Sequence, residues 1–213
     1  MEVLHRAFRK YLNLDIFKDF PKYEENITVE GKSNILSIVE NKNVVIMRKI
    51  TVKQNSNLSL NINIKNSGRV VIYDEIMLEK NSSMMYKLYG RIEEVYHYIK
   101  VIHSENSKSD VDVKVTVLKK FISIGTLEHP FGSKGSYGKL TQLIIAKPES
   151  KVILIPGIKV LDQDAKAFHV AKKIVLTEDQ EFYLRSKGVS TKEILDLLEK
   201  SIIYGINLQD LAN

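Results

Sequence analysis

The stretch "NLSLNINIK", residues 57–65, alternates polar and apolar side chains without a break. Leu58, Leu60, Ile62 and Ile64 fall on one side, with Asn57, Ser59, Asn61 and Asn63 on the other. "DVDVKVTV" does the same with Val111, Val113, Val115 and Val117. A period of two is the period of an extended strand with one face buried; wound as a helix, the same residues would spread their apolar groups around the whole circumference. Similar short runs lie near 35–39, 44–52, 69–78, 84–102, 121–127, 140–146, 152–161 and 172–176. Between them stand "ENKN", "KQNSN", "KNSG", "EKNSS" and "SENSKS", rich in residues that form turns. These connections are too short for crossover helices. Two architectures remain, an antiparallel sandwich or barrel and a parallel β-solenoid. Apolar strand faces with short polar corners match a solenoid coil, although no strict repeat is visible.

The two ends differ from the middle. Leu4, Ala7, Phe8, Tyr11 and Leu12 share one face at helical spacing, and Pro21 cannot continue a helix. After Leu176, Thr177 with Gln180 and Ser190 with Glu193 each have the spacing of a capping box, and Gly188 stands where a left-handed residue ends a helix. The expected organisation is a helical segment over 1–26, a β core over 27–176 and a helical hairpin over 177–213. A solenoid has open ends that need covering, so a first expectation for the hairpin is an end cap.

Composition narrows the function. The chain has 213 residues, 44% of them hydrophobic and 27% charged, enough for one sizeable core. It contains no cysteine, so it forms no disulfide and offers no thiolate to a metal. The first residues lack the apolar run of a signal peptide, and no stretch reaches the ~18–20 apolar residues of a membrane span, so a cytoplasmic location is expected and no membrane partner. The net charge of +6 invites a polyanion. The lysines are scattered at alternating positions, however, so a solvated surface is the expectation and nucleic acid is an unlikely partner.

The segment "PGIKVLDQDAKAFHVAKKIVLTEDQEFYLRSKGVSTKEILDLLEKSI", residues 156–202, is more specific. Its order of Pro156, an extended apolar run, Asp162 and Asp164, His169, a strand, the acidic start "TEDQEFYL", Arg185-Ser186-Lys187-Gly188 and "STKEI" resembles the C-terminal region of the SufB/SufD family. These are scaffold subunits of the SUF system of iron–sulfur cluster assembly. Residues 103–160 resemble the strands that precede that region. The resemblance implies a mainly β fold, a right-handed parallel β-helix with a short N-terminal helix and a C-terminal helical hairpin. It implies a scaffold and not an enzyme, with a SufC-like ABC ATPase as one partner and a second SufB/SufD-like subunit, identical or not, as the other. It also implies an iron–sulfur cluster that is transient and shared with a partner. Three departures stand out: the chain is shorter than usual members, it lacks the cysteine of SufB-type members, and Phe168-His169-Val170 replaces the Ser-His-Gly common in SufD-type members. It therefore looks like a reduced, SufD-like form.

From the same resemblance, the hairpin is the expected ATPase-docking element. Phe182, Tyr183 and Leu184 would supply buried area, and Arg185, Ser186, Lys187 and Gly188 polar contacts and the turn. Ile194, Leu197 and Leu198 line one face of the second helix. Aromatic and arginine side chains are enriched at interface hot spots. The structural alternative is that Phe182 and Leu184 pack the hairpin onto the last coil. His169 is the candidate metal ligand, with Asp162, Asp164 and Glu178 near it in sequence. The alternative for it is an imidazole hydrogen-bonded in a strand. His5, His97, His103 and His129 have no metal-ligand spacing. "GSKGSYGKL", residues 132–140, fails as a phosphate loop, because Ser133 stands where the first glycine is required and Leu140 where a hydroxyl is required. It is expected to be a flexible loop, with nucleotide held only by the partner. The alternative function, drawn from charge and scattered tyrosines, is a β-solenoid module that binds nucleic acid or polysaccharide.

Overall fold

A computed structural model describes residues 19–40, 43–175, 178–190, 193, 194, 196 and 197. The expected N-terminal helix, Thr177 with its capping box, and Leu198 lie outside the described residues. Within them the chain forms β1 (Lys22–Val29), β2 (Lys32–Glu40), β3 (Val44–Val52), β4 (Asn57–Leu78), β5 (Ser83–His103), β6 (Lys108–His129), β7 (Tyr137–Ala146), β8 (Lys151–Val160), β9 (Lys166–Val175) and α1 (Glu178–Ser186). Every strand pairing is parallel. The result is the β-solenoid, of about six turns.

The coil has two walls. One holds β2, the first halves of β4, β5 and β6, then β7 and β9. The other holds β1, β3, the second halves of the same three strands, and β8. The long strands turn the corner between walls without losing their extended conformation, at a register shift between Lys65 and Ser67 in β4 and between Ile92 and Glu94 in β5. "KNSG", expected as a turn, is thus a corner inside β4. The corner requires glycine in the next coil: Gly90 has φ 130°, and a Cβ there would sit 2.0 Å from the Ile64 carbonyl oxygen. The first strand also starts earlier than expected, at Lys22 instead of Ile27.

The alternation sets what lies inside. Leu58, Leu60, Ile62 and Ile64 of β4 stack on Met84, Tyr86 and Leu88 of β5, and the second wall contributes Val70, Ile72, Ile76 and Leu78. All are buried. Burial at roughly 1.5–3 kcal/mol per large apolar side chain is the main force holding the coils together.

The opposite connection is a tight turn that repeats. Asn55, Asn81 and Asn106 all have left-handed φ, 59°, 57° and 55°. Asparagine tolerates this region better than other non-glycine residues. Each is followed by a buried serine whose N–H donates to the carbonyl three residues back, at Lys53, Glu79 and Ser104. Each asparagine N–H donates to the next coil, at Lys80, Glu105 and Lys134. Asn81 Nδ2 donates to Asn55 Oδ1 at 3.1 Å, 26 residues away. Gly135-Ser136 takes the same place in the following coil, with Gly135 at φ 69° and the Ser136 N–H donating to the Ser133 carbonyl. "GSKGSYGKL" is therefore a hydrogen-bonded turn that runs into β7. The repeat was hidden because only two residues carry it, and because the same dipeptide, Asn66-Ser67, also occurs inside β4.

Candidate functional site: the last coil and the helical hairpin

The hairpin is built as the capping signals require. α1 ends at a turn in which the Gly188 N–H donates to the Arg185 carbonyl and the Val189 N–H to the Leu184 carbonyl, with Gly188 at φ 86°. Ser190 and Glu193 form the second capping box: the Ser190 N–H donates to Glu193 Oε2 at 2.8 Å, and the Glu193 N–H to Ser190 Oγ at 3.3 Å.

Its position differs from an end cap. Ile194 is 1% exposed and clusters with Ile145 of β7, joined by Leu184 and Val189. Ile145 points out of the wall, since its neighbours Ile144 and Ala146 belong to the interior cluster. Arg91 of β5 donates to Asp196 across 2.7 Å from the same outer face. The hairpin lies against the side of the solenoid, and the inward positions of the last strand, His169, Ala171 and Lys173, stay exposed.

This arrangement divides the predicted docking residues. Leu184 and Ile194 hold the hairpin to the wall, and Leu197 is half-buried. Phe182 is 75% exposed and Tyr183 61%, so neither packs the hairpin onto the last coil. Arg185, Ser186 and Lys187 are exposed beside them. The Lys187 ammonium lies 5.6 Å from the Tyr183 ring centroid, and Ser186 Oγ donates to the Tyr183 carbonyl at 2.7 Å. The outcome is an exposed surface of aromatic and basic side chains on a short helix.

His169 stands on β9 opposite Leu140 and is exposed. The nearby carboxylates are occupied in the turn before β9. Asp162 accepts from the Gly132 and Asp164 N–H groups, each at 3.1 Å, and Asp164 lies 3.6 Å from the Lys134 ammonium. Among the described residues no three His, Asp or Glu side chains gather where they could hold a metal. Among the described residues His169 is a single exposed imidazole with no second ligand gathered beside it, and the chain has no cysteine to add.

Sequence reasoning missed a polar file inside the solenoid. Arg48, Asp74, Tyr86, His97, Ser123 and Gln142 come from five successive coils and are each 0–2% exposed, Tyr86 and Gln142 from one wall and the rest from the other. Arg48 Nε and Nη2 donate to Asp74 at 2.7 and 3.0 Å. Tyr86 Oη donates to Asp74 Oδ2 at 2.8 Å, so its oxygen accepts from His97 Nε2 at 2.9 Å. His97 Nδ1 then accepts from Ser123 Oγ at 2.9 Å, and that oxygen accepts from Gln142 Nε2 at 2.7 Å. Every donor points toward the Asp74 carboxylate. This ordering assigns His97 as the neutral Nε2–H tautomer. Burial pulls the Arg48 pKa down, but Asp74 outweighs it and the net direction is up. Burial pushes the Tyr86 hydroxyl well above its ordinary value.

His103 and His129 are also interior. Their rings stack at 4.0 Å between centroids, His103 Nε2 bonding Ser109 Oγ at 2.8 Å and His129 Nδ1 bonding Ser136 Oγ at 2.7 Å. Burial lowers the pKa of His97 to about 4; burial, then the neighbouring His129, lowers that of His103 to about 3; and burial lowers that of His129. The unfolded chain binds protons at these imidazoles near pH 6.5 while the folded chain keeps them neutral, so acid favours unfolding. Stability should be constant above pH 6.5 and fall as pH drops toward the folded-state values. A urea midpoint clearly lower at pH 5 than at pH 7.5, with a shallower fall in His97→Gln, is the expected result; an unchanged midpoint would refute it.

No family model matches the chain, and no curated protein does. The class that the structure itself defines is a parallel β-solenoid of about six turns with a short helix, α1, and the turn after it docked on its flank. Among the described residues no helix is long and apolar enough to cross a membrane.

Proposed function

We propose that this β-solenoid is a SufB/SufD-like scaffold subunit of a SUF-type iron–sulfur cluster assembly complex. It binds a SufC-like ABC ATPase through the C-terminal hairpin and pairs with a second SufB/SufD-like subunit through the β-helix. The chemistry of ATP hydrolysis sits on the partner; this chain transmits its motion to the interface where the cluster is built. The observation that carries the reading is the division of labour in "EFYLRSKG": Leu184, with Ile194, anchors the hairpin to Ile145, and this leaves Phe182 and Tyr183 exposed on a fixed platform. Exposed aromatics flanked by Arg185 and Lys187 have the composition of an interface hot spot. The resemblance over 156–202 supplies the identity of the partner.

The test is co-expression with a cognate SufC-like ATPase, which should yield a stable complex. Because the hairpin lies on the flank and not over the open end, a chain truncated before Thr177 should keep its β core and lose the ATPase. A truncated chain that still binds would refute the docking role. His169→Ala should leave the fold intact, since the side chain is exposed, and should reduce cluster loading of the reconstituted complex. Loading equal to wild type would assign His169 a structural role only.

A further inference from the structure

The described part of the hairpin lies on the flank and leaves the first coil open. Among the described residues β1 pairs only with β3 and β2 only with β4, so one backbone edge of each faces away from the coils. Ile27 and Ile35 point into the core at this end and are only partly buried. The edge of β2 is also unguarded. From Ser33 to Val39 it reads "SNILSIV", with no charge, proline or glycine. Natural edge strands are blunted by such residues, and a flat, uncharged edge is a template for another strand. At the other end β8 carries Pro156 and Gly157 in its middle. On the outer face of β2, Leu36 is 62% exposed and Ile38 54%. The residues leading into β1 lie elsewhere: Phe20 packs with Val45 and Tyr73, on the outer face of the opposite wall.

We propose that β2 pairs antiparallel with β2 of a second copy of this chain, joining two solenoids first coil to first coil. The sequence of β2 is complementary to itself in one register. With Leu36 on the symmetry axis, Leu36 meets its own copy, Asn34 meets Ile38, and Lys32 meets Glu40 at both ends of the ladder. These side chains all lie on the outer face, because they alternate with Ser33, Ile35, Ser37 and Val39, which stack on the inward Leu58, Leu60, Ile62 and Ile64. Opposite charges and apolar groups placed directly across from each other stabilise an antiparallel pair. The pairing also satisfies the free backbone edge and removes Leu36 and Ile38 from water. Glu40 Oε1 lies 3.1 Å from the Lys65 ammonium, and its second oxygen is open to the incoming lysine. β1 contributes less, since Glu24 and Glu25 of the opposite wall approach their copies and repel. The inference rests on the fold alone, and it leaves the hairpin and the last coil free.

The experiment uses the full chain alone, with neither ATPase nor cluster. Sedimentation equilibrium should show a dimer that dissociates on dilution. Leu36→Lys sets like charges against each other on the axis and should weaken the dimer about tenfold or more, while the strand signal in circular dichroism stays unchanged. Lys32→Glu and Glu40→Lys should each weaken it several-fold, and the two together should restore it, a rescue that a merely structural role would not give. Because the chain has no cysteine, single thiols report the contact directly. Antiparallel pairing holds opposite Cα atoms about 4.5–5.5 Å apart, within reach of a disulfide. Leu36→Cys should therefore form a covalent dimer under mild oxidation. Met85→Cys on β5 and Phe168→Cys on β9, both also exposed, should not. A monomer at every soluble concentration, a dimer indifferent to Leu36→Lys, a charge exchange that fails to rescue, or cross-linking through Phe168→Cys in place of Leu36→Cys overturns the proposal.

Discussion

Asp74→Ala should destabilise the protein by about 3–5 kcal/mol, the loss typical of removing one partner from a buried ion pair. The Arg48 guanidinium, 2% exposed, would keep its charge with no counterion, and the Tyr86 hydroxyl would lose its acceptor. The damage would spread along the file, because the direction of every donor from Gln142 to Tyr86 is set by the carboxylate at its end. Against a total stability of roughly 5–15 kcal/mol, such a loss leaves a chain that is marginal at best. Asp74→Asn should lie between, since it keeps an acceptor but not the charge. The informative companion is Arg48→Met combined with Asp74→Leu. Replacing both charges by apolar groups of similar volume is often neutral or stabilising. Urea unfolding of the two single variants and the double variant checks the cycle. A cost below about 1 kcal/mol for Asp74→Ala would show that the buried file is not a stability element.

Phe182→Ala together with Tyr183→Ala should weaken the complex with the ATPase by about a thousandfold while leaving the urea midpoint of the isolated chain unchanged. The separation follows from geometry. Both rings are mostly exposed, so their loss removes little packing within the chain, whereas truncation of interface hot spots costs about 2 kcal/mol or more each. Leu184→Ala should act through the hairpin's attachment instead. It thins the contact with Ile145 and Ile194, loosening the hairpin on the wall, so its effect on binding should come with easier proteolysis of the hairpin. Binding by titration calorimetry and a denaturation curve on each variant distinguish the two outcomes. Unchanged affinity in the double aromatic variant would remove these rings from the interface.

The alternation of "NLSLNINIK" and "DVDVKVTV" was enough to place Leu58 to Ile64 and Val111 to Val117 inside, because a strand with a buried face admits only one side. The capping box of Ser190 and Glu193 and the turn at Gly188 were legible for a similar reason: they are local devices whose partners are a few residues apart. The Asn-Ser turns were visible as turns but not as a repeat, since two residues in each 25 or 26 are too few to stand out. His97, His103 and His129 looked unconnected, as their spacing fits no motif. Their partners are reached through the solenoid's register: Ser123 lies 26 residues from His97, and Asp74 meets Arg48 across the same distance.

By itself, the sequence determined that this chain is built of strands with one buried face, corners of Asn, Ser and Gly, and a capped helical hairpin after them, because period and capping depend on neighbours along the chain. Only the tertiary structure decided which coil lies over which. That stacking put Arg48 on Asp74 and carried the hairpin to the flank at Ile145 instead of over the open end. The physical reason is the same in each case: these contacts join residues a coil or more apart, and their energy exists only once the coils are in register.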